Sequence, residues 1–359
     1  MQYTYKLENL SKSEVEIKVE VEADALNKAR AKALKQITDN LELDGFRKGM
    51  VPEKIVIEKI GEDAILEEAA EIAINETLPK IFDEIKKDTI GRPSVSITKV
   101  ALGNPLEYKI RIAVVPEFAL PEYKKIAKEI LNKKDKDEDL LEVSEKEIED
   151  VVLQIRKNKA HFDWHQNNPE ANHHDHPDLD KEENLPVFDD EFAKAAGNFK
   201  DVSELRDKIK ENVLEEKKSR VSEKKRVSIM EELVNNTKMD VPEILIESEI
   251  AKSLAQMKDD VARAHGDWDE YLKHIKKSEE DLRKDLRDGA EKKARIQLIF
   301  NKIAAEEKIV LNPAILENEV KNILEQYPGA SEENARVYVE TLMLNSEVLK
   351  LLDSQKDAA

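Results

Sequence analysis

Residues 14–22 read Glu-Val-Glu-Ile-Lys-Val-Glu-Val-Glu, with Val15, Ile17, Val19 and Val21 alternating against Glu14, Glu16, Lys18, Glu20 and Glu22. A period of two places the four apolar side chains on one face of a strand and the charges on the other. The fold therefore opens on a sheet that is wet on one side. Tyr3, Tyr5 and Leu7 make a shorter run of the same kind upstream. Downstream, Leu26, Ala29, Ala33, Leu34 and Ile37 recur at helical spacing to about Asn40, and Asp24 is placed to cap that helix. A second helical stripe, including Ile65, Leu66, Ala69, Ile72, Ala73, Leu78, Ile81, Phe82 and Ile85, covers residues 62–87. Two further strands follow, one with Val95, Ile97 and Val100, the other with Leu106, Tyr108, Ile110 and Ile112, and Gly103-Asn104-Pro105 turns between them. The order β-β-α-α-β-β predicts an antiparallel sheet covered by helices over residues 1–115.

The pattern then changes. Residues 116–160 read as a connector and the first part of a helical domain. Pro116 and Pro121 break structure, a charge run fills 132–139, and Ser144-Glu145-Lys146-Glu147 is a capping box opening a helix to about Lys159. Residues 161–187 hold five of the seven histidines, His161, His165, His173, His174 and His176, among Asn, Asp, Glu and Pro, and read as a flexible linker. Residues 188–353 are helical in pattern. Pro242, Ser278 and Asn312-Pro313 mark helix starts, and Pro328-Gly329 precedes a final pair of helices. Residues 354–359 are a tail. The broad apolar stripes predict an open helical array with part of each stripe facing a groove. The expected fold is thus α+β: an N-terminal antiparallel sheet with helices, then an elongated, mostly α-helical domain.

Composition narrows the function. The chain of 359 residues carries 59 Lys plus Arg against 78 Asp plus Glu, a formal charge of −19. That balance disfavours broad nucleic-acid binding and confines any RNA contact to a local basic spot. With no Cys, thiolate nucleophiles and cysteine-bound metal or iron–sulfur sites are excluded. Nine glycines suit long helices better than phosphate loops, and no Gly-x-x-x-x-Gly-Lys-[Ser/Thr] segment occurs, so neither ATP nor another cofactor is expected. The start, Met1-Gln2-Tyr3-Thr4-Tyr5-Lys6, has no apolar core of a secretory signal, and no apolar run approaches the ~18 residues of a membrane span. A cytoplasmic protein with no membrane partner is expected.

Between the first two helices lies Leu43-Asp44-Gly45-Phe46-Arg47-Lys48-Gly49-Met50-Val51-Pro52, an aromatic flanked by cations between two glycines. The glycines permit positive φ at both shoulders. Pro52 is placed to start a short helix over residues 53–60. One reading tucks Phe46 back into the core as an ordinary loop residue. The stretch also resembles the ribosome-docking signature Gly-Phe-Arg-x-Gly-x-x-Pro of bacterial trigger factor. The surrounding order of strands and helices is similar to that family's N-terminal domain, and residues 240–250 resemble a recurrent stretch of its C-terminal helical domain. The resemblance covers residues 1–160 and 188–353.

It implies an ATP-independent chaperone that holds nascent chains in a folding-competent state, assists folding and export, and is linked in the family to cell division. Gly45, Phe46, Arg47, Lys48 and Gly49 would contact protein and rRNA of the large ribosomal subunit near the peptide exit. A weak homodimer is a further implied partner. Two departures stand out. Met50 occupies a place where the family often has Lys. The peptidyl-prolyl isomerase domain that the family inserts between the halves of its helical domain is reduced here to residues 161–186, too short and too poor in β-branched residues to form one. The expectation is a trigger factor variant without that domain and without a catalytic residue. Two alternatives remain open: the prolyl isomerase activity credited to the full-length family, and metal binding by the insert through His173, His174 and His176 with Asp175 and Asp178.

Overall fold

The computed structural model describes residues 1–133, 141–168 and 178–356. These fall into two compact units, one built from residues 1–121 with 234–307 and the other from residues 122–233 with 308–359. This division differs from the expected boundaries, because the sheet domain shares a unit with part of the helical region.

In the first unit, strands β1 (Tyr3–Asn9), β2 (Glu14–Val21), β3 (Thr89–Lys99) and β4 (Leu106–Val114) form one antiparallel sheet in the order β1-β2-β4-β3. Val15, Ile17, Val19 and Val21 are all buried, as their period required. They pack with Leu106, Tyr108, Ile110 and Ile112 under helices α1 (Ala23–Asn40) and α3 (Glu62–Ile85), against Leu26, Ala29, Ala69, Ala73 and Ile81. Each large side chain buried there contributes about 1.5–3 kcal/mol. The polar pair inside this core is satisfied: the Thr77 and Tyr108 hydroxyls lie 2.7 Å apart, and Thr77 donates to the Ala73 carbonyl. Burial raises the Tyr108 phenol above its ordinary pKa.

Asp24 does not cap α1. Strand β2 runs into the helix with only Glu22 between them, so Glu22 takes the N-cap position without a side-chain bond and Asp24 sits in the first turn, where its charge still suits the helix dipole. A short helix α2 (Glu53–Ile60) precedes α3, as Pro52 predicted.

The same unit contains α8 (Glu243–Arg263), α9 (Trp268–Ile275) and α10 (Glu279–Glu306). Ile246, Ile250 and Leu254 of α8 pack with Leu282, Ala290, Ala294 and Leu298 of α10. Ser278 and Asp281 form a capping box at the start of α10. A joint fastens this helical pair to the sheet. The Lys12 amide donates to Asp240 Oδ2 at 2.6 Å, the Ser13 hydroxyl donates to the Asp240 carbonyl, and Lys12 Nζ lies 2.6 Å from Glu243, which Arg287 also grips with both of its terminal nitrogens. Lys12 and Ser13 both adopt positive φ, 59° and 51°, a costly conformation for non-glycine residues that these contacts hold in place.

The second unit contains α4 (Tyr123–Asn132), α5 (Glu145–Asn167), α6 (Asp190–Gly197), most of α7 (Val202–Asn236), α11 (Pro313–Gln326) and α12 (Glu332–Asp353). Ile148 and Val152 pack with Phe192, Leu205 and Ile209, while Leu316 and Val320 pack with Val339. Buried Lys225 donates to the Leu131 carbonyl at 2.8 Å. Three expectations are corrected here. The connector contains α4, whose face of Tyr123, Ala127 and Leu131 is buried. Helix α5 runs eight residues past Lys159, through His161 and His165, so the proposed linker begins as helix; Ala160 is buried and Lys159 pairs with Asp163 one turn on. In residues 178–187, Leu179 and Leu185 are buried rather than loose. The final pair of helices is one continuous helix, α12, capped by Ser331.

Candidate functional site

The loop of residues 41–52 is two consecutive turns. The Phe46 amide donates to the Leu43 carbonyl at 3.0 Å, and the Met50 amide donates to the Arg47 carbonyl at 2.9 Å. Gly45 and Gly49 each occupy the third position of their turn, with φ of 89° and 78°, while Asp44 and Lys48 before them keep negative φ. That is the type II geometry, which demands a residue free to adopt positive φ at that place. The Gly-x-x-x-Gly spacing is therefore a requirement of the backbone. A Cβ on Gly45 would meet nothing within 4 Å.

The two turns present Phe46, Arg47 and Lys48 together. Phe46 is 39% exposed and Met50 is 71% exposed. Arg47 and Lys48 are exposed, and Lys48 pairs with Glu42 at 3.2 Å. Val51 and Val56 anchor the exit of the loop by burial. Its stem is clamped by Arg30 of α1, which binds Glu62 of α3 at 2.6 and 2.9 Å and reaches Glu53 of α2 at 3.4 Å. Arg30 holds the Glu62 carboxyl below its usual range. Sequence reasoning named the five tip residues and overlooked Arg30 and Glu42. Glu42 lies across the loop from Lys48 with no periodic spacing to mark it.

Apolar surface is accessible in each unit. In the first, a cleft of about 590 Å³ at the end of α8 is lined by Met257, Val261, Ala264 and Tyr271, with Asp260, Asp267 and Glu270 at its edge. A larger one of about 910 Å³ is lined by Val115, Phe118 and Leu298 with Lys86, Lys87 and Lys302. In the second unit, Val337, Tyr338 and Leu342 of α12 and Ile315 of α11 are each more than half exposed. Met239, Met257 and Met343 pack against cores, and Met257 also faces the smaller cleft. His173, His174, His176 and Asp175 lie outside the described residues. Among the described residues, no group of three or more His, Asp or Glu side chains already converges on a metal position, and no helix is long and apolar enough to cross a membrane.

A sheet domain that presents such a tip, together with long helices that keep apolar clefts open, has the makeup of a molecular chaperone. Residues 3–155 match the family profile described as bacterial trigger factor protein, and residues 201–356 match that of the trigger factor C-terminus. The chain belongs to the trigger factor family, and with the family comes a chaperone role in protein folding. The trigger factor of Caldicellulosiruptor bescii is 24% identical over 431 residues, covering 98% of this chain and 97% of the relative. That of Moorella thermoacetica is 25% identical over 403 residues, covering 91% and 89%. A solved structure described as "Promiscuous Substrate Recognition in Folding and Assembly Activities of the Trigger Factor Chaperone" shares the fold, with a TM-score of 0.60 and 18% identity over 98% of this chain and 99% of that one.

Proposed function

We propose that this chain is a ribosome-docking chaperone. Its tip of Gly45, Phe46, Arg47, Lys48 and Gly49 contacts the large subunit beside the peptide exit, and its apolar clefts hold emerging polypeptides without nucleotide. The observation that carries this reading is the exposure of Phe46, Arg47 and Lys48 on two hydrogen-bonded turns. An inward-facing ring would have favoured the ordinary loop. Arginine and lysine supply charge-assisted bonds to phosphate or carboxylate, and the phenyl ring fills an apolar or base-stacking site. Weak contacts spread over several apolar surfaces release a client without an energy source, and adaptable side chains such as Met257 tolerate varied sequences.

We further read the chain as lacking the family's isomerase. The 431 positions aligned with the C. bescii protein exceed the 359 residues here by 72, so at least 72 positions of that relative face no residue of this chain. The two family profiles leave residues 156–200 unmatched. A protease-coupled assay on a proline-containing peptide should show no turnover above the uncatalysed rate, and robust turnover defeats this part of the reading.

Sedimentation with ribosomes tests docking. The intact chain should pellet, and a variant with Phe46, Arg47 and Lys48 replaced by Ala should stay in the supernatant while still suppressing aggregation of an unfolded protein. Equal pelleting of both removes the docking assignment. A steep loss of binding with salt would identify phosphates as the contacted groups.

A further inference from the structure

Helix α5 carries His161 and His165 one turn apart, a spacing that sets two side chains on one helical face. Residues 178–186 lie against this helix. Arg156 donates through Nε to the Pro186 carbonyl at 2.8 Å and through a terminal nitrogen to Glu182 at 2.7 Å, and Leu179 and Leu185 are buried. Asp180 is thereby delivered to α5. Its Oδ1 lies 3.3 Å from His161 Nε2, and its Oδ2 lies 3.8 Å from Lys157 Nζ.

The 3.3 Å separation is longer than the ~2.7–2.9 Å of a charge-assisted N–H···O bond. It is close to the ~3.3 Å that separates two ligands of a tetrahedral ion with bonds of ~2.0–2.1 Å. We propose that His161 Nε2, Asp180 Oδ1 and an imidazole nitrogen of His165 form a Zn²⁺ site that fastens residues 178–186 to α5. Two imidazoles and a carboxylate suit a borderline cation, and water takes the fourth position. His161 and Asp180 already stand at ligand spacing. The His165 ring packs edge-on against Trp164 at 5.0 Å, and its rotation completes the set on binding; among the described residues no three ligands converge beforehand. Because Arg156 and the two leucines hold the segment in place, the metal does not have to order it.

The test is calorimetric titration of ZnCl₂ into the untagged full chain carrying H173A, H174A and H176A, which removes the other histidines of the insert. One Zn²⁺ should bind per chain with micromolar affinity. Adding H161A or H165A to that background should weaken binding by roughly tenfold or more, and D180N should weaken it by a smaller factor, with helical content unchanged by circular dichroism. Zn²⁺ should also slow amide hydrogen exchange across residues 178–186 in the background chain and leave it unchanged after H161A. Binding only at millimolar Zn²⁺, or an affinity indifferent to both H161A and H165A, overturns the proposal.

Discussion

The Lys48 ammonium stands 3.2 Å from the Glu42 carboxylate across the tip loop, whereas the adjacent Arg47 has no ion-pair partner among the described residues. The two cations are therefore not equivalent. Lys48 must give up Glu42 to meet an anionic partner, although an exposed pair of this kind is worth only ~0–1 kcal/mol. Arg47 is available at once and has the fork geometry for phosphate or carboxylate.

From that asymmetry, R47A should weaken ribosome association more than K48A, and E42Q should strengthen it by up to about fivefold by releasing Lys48. Dissociation constants from fluorescence titration with a labelled chain would measure all three. An E42Q variant that binds more weakly than the parent would contradict the assignment of Glu42 as a competitor.

The shoulders of the loop give a second expectation. Alanine at Gly45 has room for its methyl group but must adopt a φ of 89°, a left-handed conformation costing about 1–2 kcal/mol. The exposed loop should escape that strain by changing shape. G45A should therefore lower docking sharply while shifting the urea midpoint little. A large loss of stability with docking intact would show that the turn matters only for folding.

Gly91 behaves differently. Its φ is 77°, and a Cβ there would run into Ile244 Cδ1 on α8, so the backbone is strained and the end of the Ile244 side chain must shift. G91A should destabilise the first unit by about 1–2 kcal/mol, most of it backbone strain, because Ile244 is 40% exposed and its end can swing aside. Adding I244A should recover the steric part and leave the backbone part. Chemical denaturation of the two single variants and the double variant measures the coupling, and strict additivity would mean that the close approach carries no cost.

The joint at α8 should be acid-sensitive. Arg287 first, then Lys12, hold the Glu243 carboxyl down to about 2 from its ordinary 4.5. A carboxylate lowered by folding contributes fully above its ordinary value and loses that contribution as the pH falls through its folded one. The Glu243 contribution should be complete and independent of pH near neutrality and decline as the pH falls from about 4.5 towards 2. E243Q should lose stability at pH 7 and show a shallower acid limb. Urea midpoints across that window decide the matter, and an E243Q curve parallel to the parent's would exclude Glu243 as a source of the decline.

Where the sequence was legible, a local pattern carried the information. The alternation of Val15 to Val21 fixed a strand and its buried face, and the boxes at Ser144 and Ser278 fixed helix starts, because each depends only on neighbours a few residues away. The end of α5 was hidden because histidine and asparagine-rich composition suggested a linker, while burial of Ala160 and the helix already in progress prevailed. Helix α4 was hidden because Pro116 and Pro121 stand just before it and a run of charged residues follows it. The grouping of the sheet with α8 and α10 had no local trace at all: Lys12 meets Glu243 across 231 positions, and ion pairs leave no periodic mark. In the tip, the identities of the five residues could be read, but the exposure of Phe46 and the pairing of Lys48 needed coordinates.

Both hydrogen bonds that shape the tip begin and end inside residues 43–50. The turns themselves are thus closed locally, while Arg30 and buried Val51 hold only the stem beneath them. Joined head to tail, that octet becomes a portable decoy: it should compete with the intact protein for its landing place, and the same eight residues grafted between two helices of an unrelated scaffold should carry the address with them.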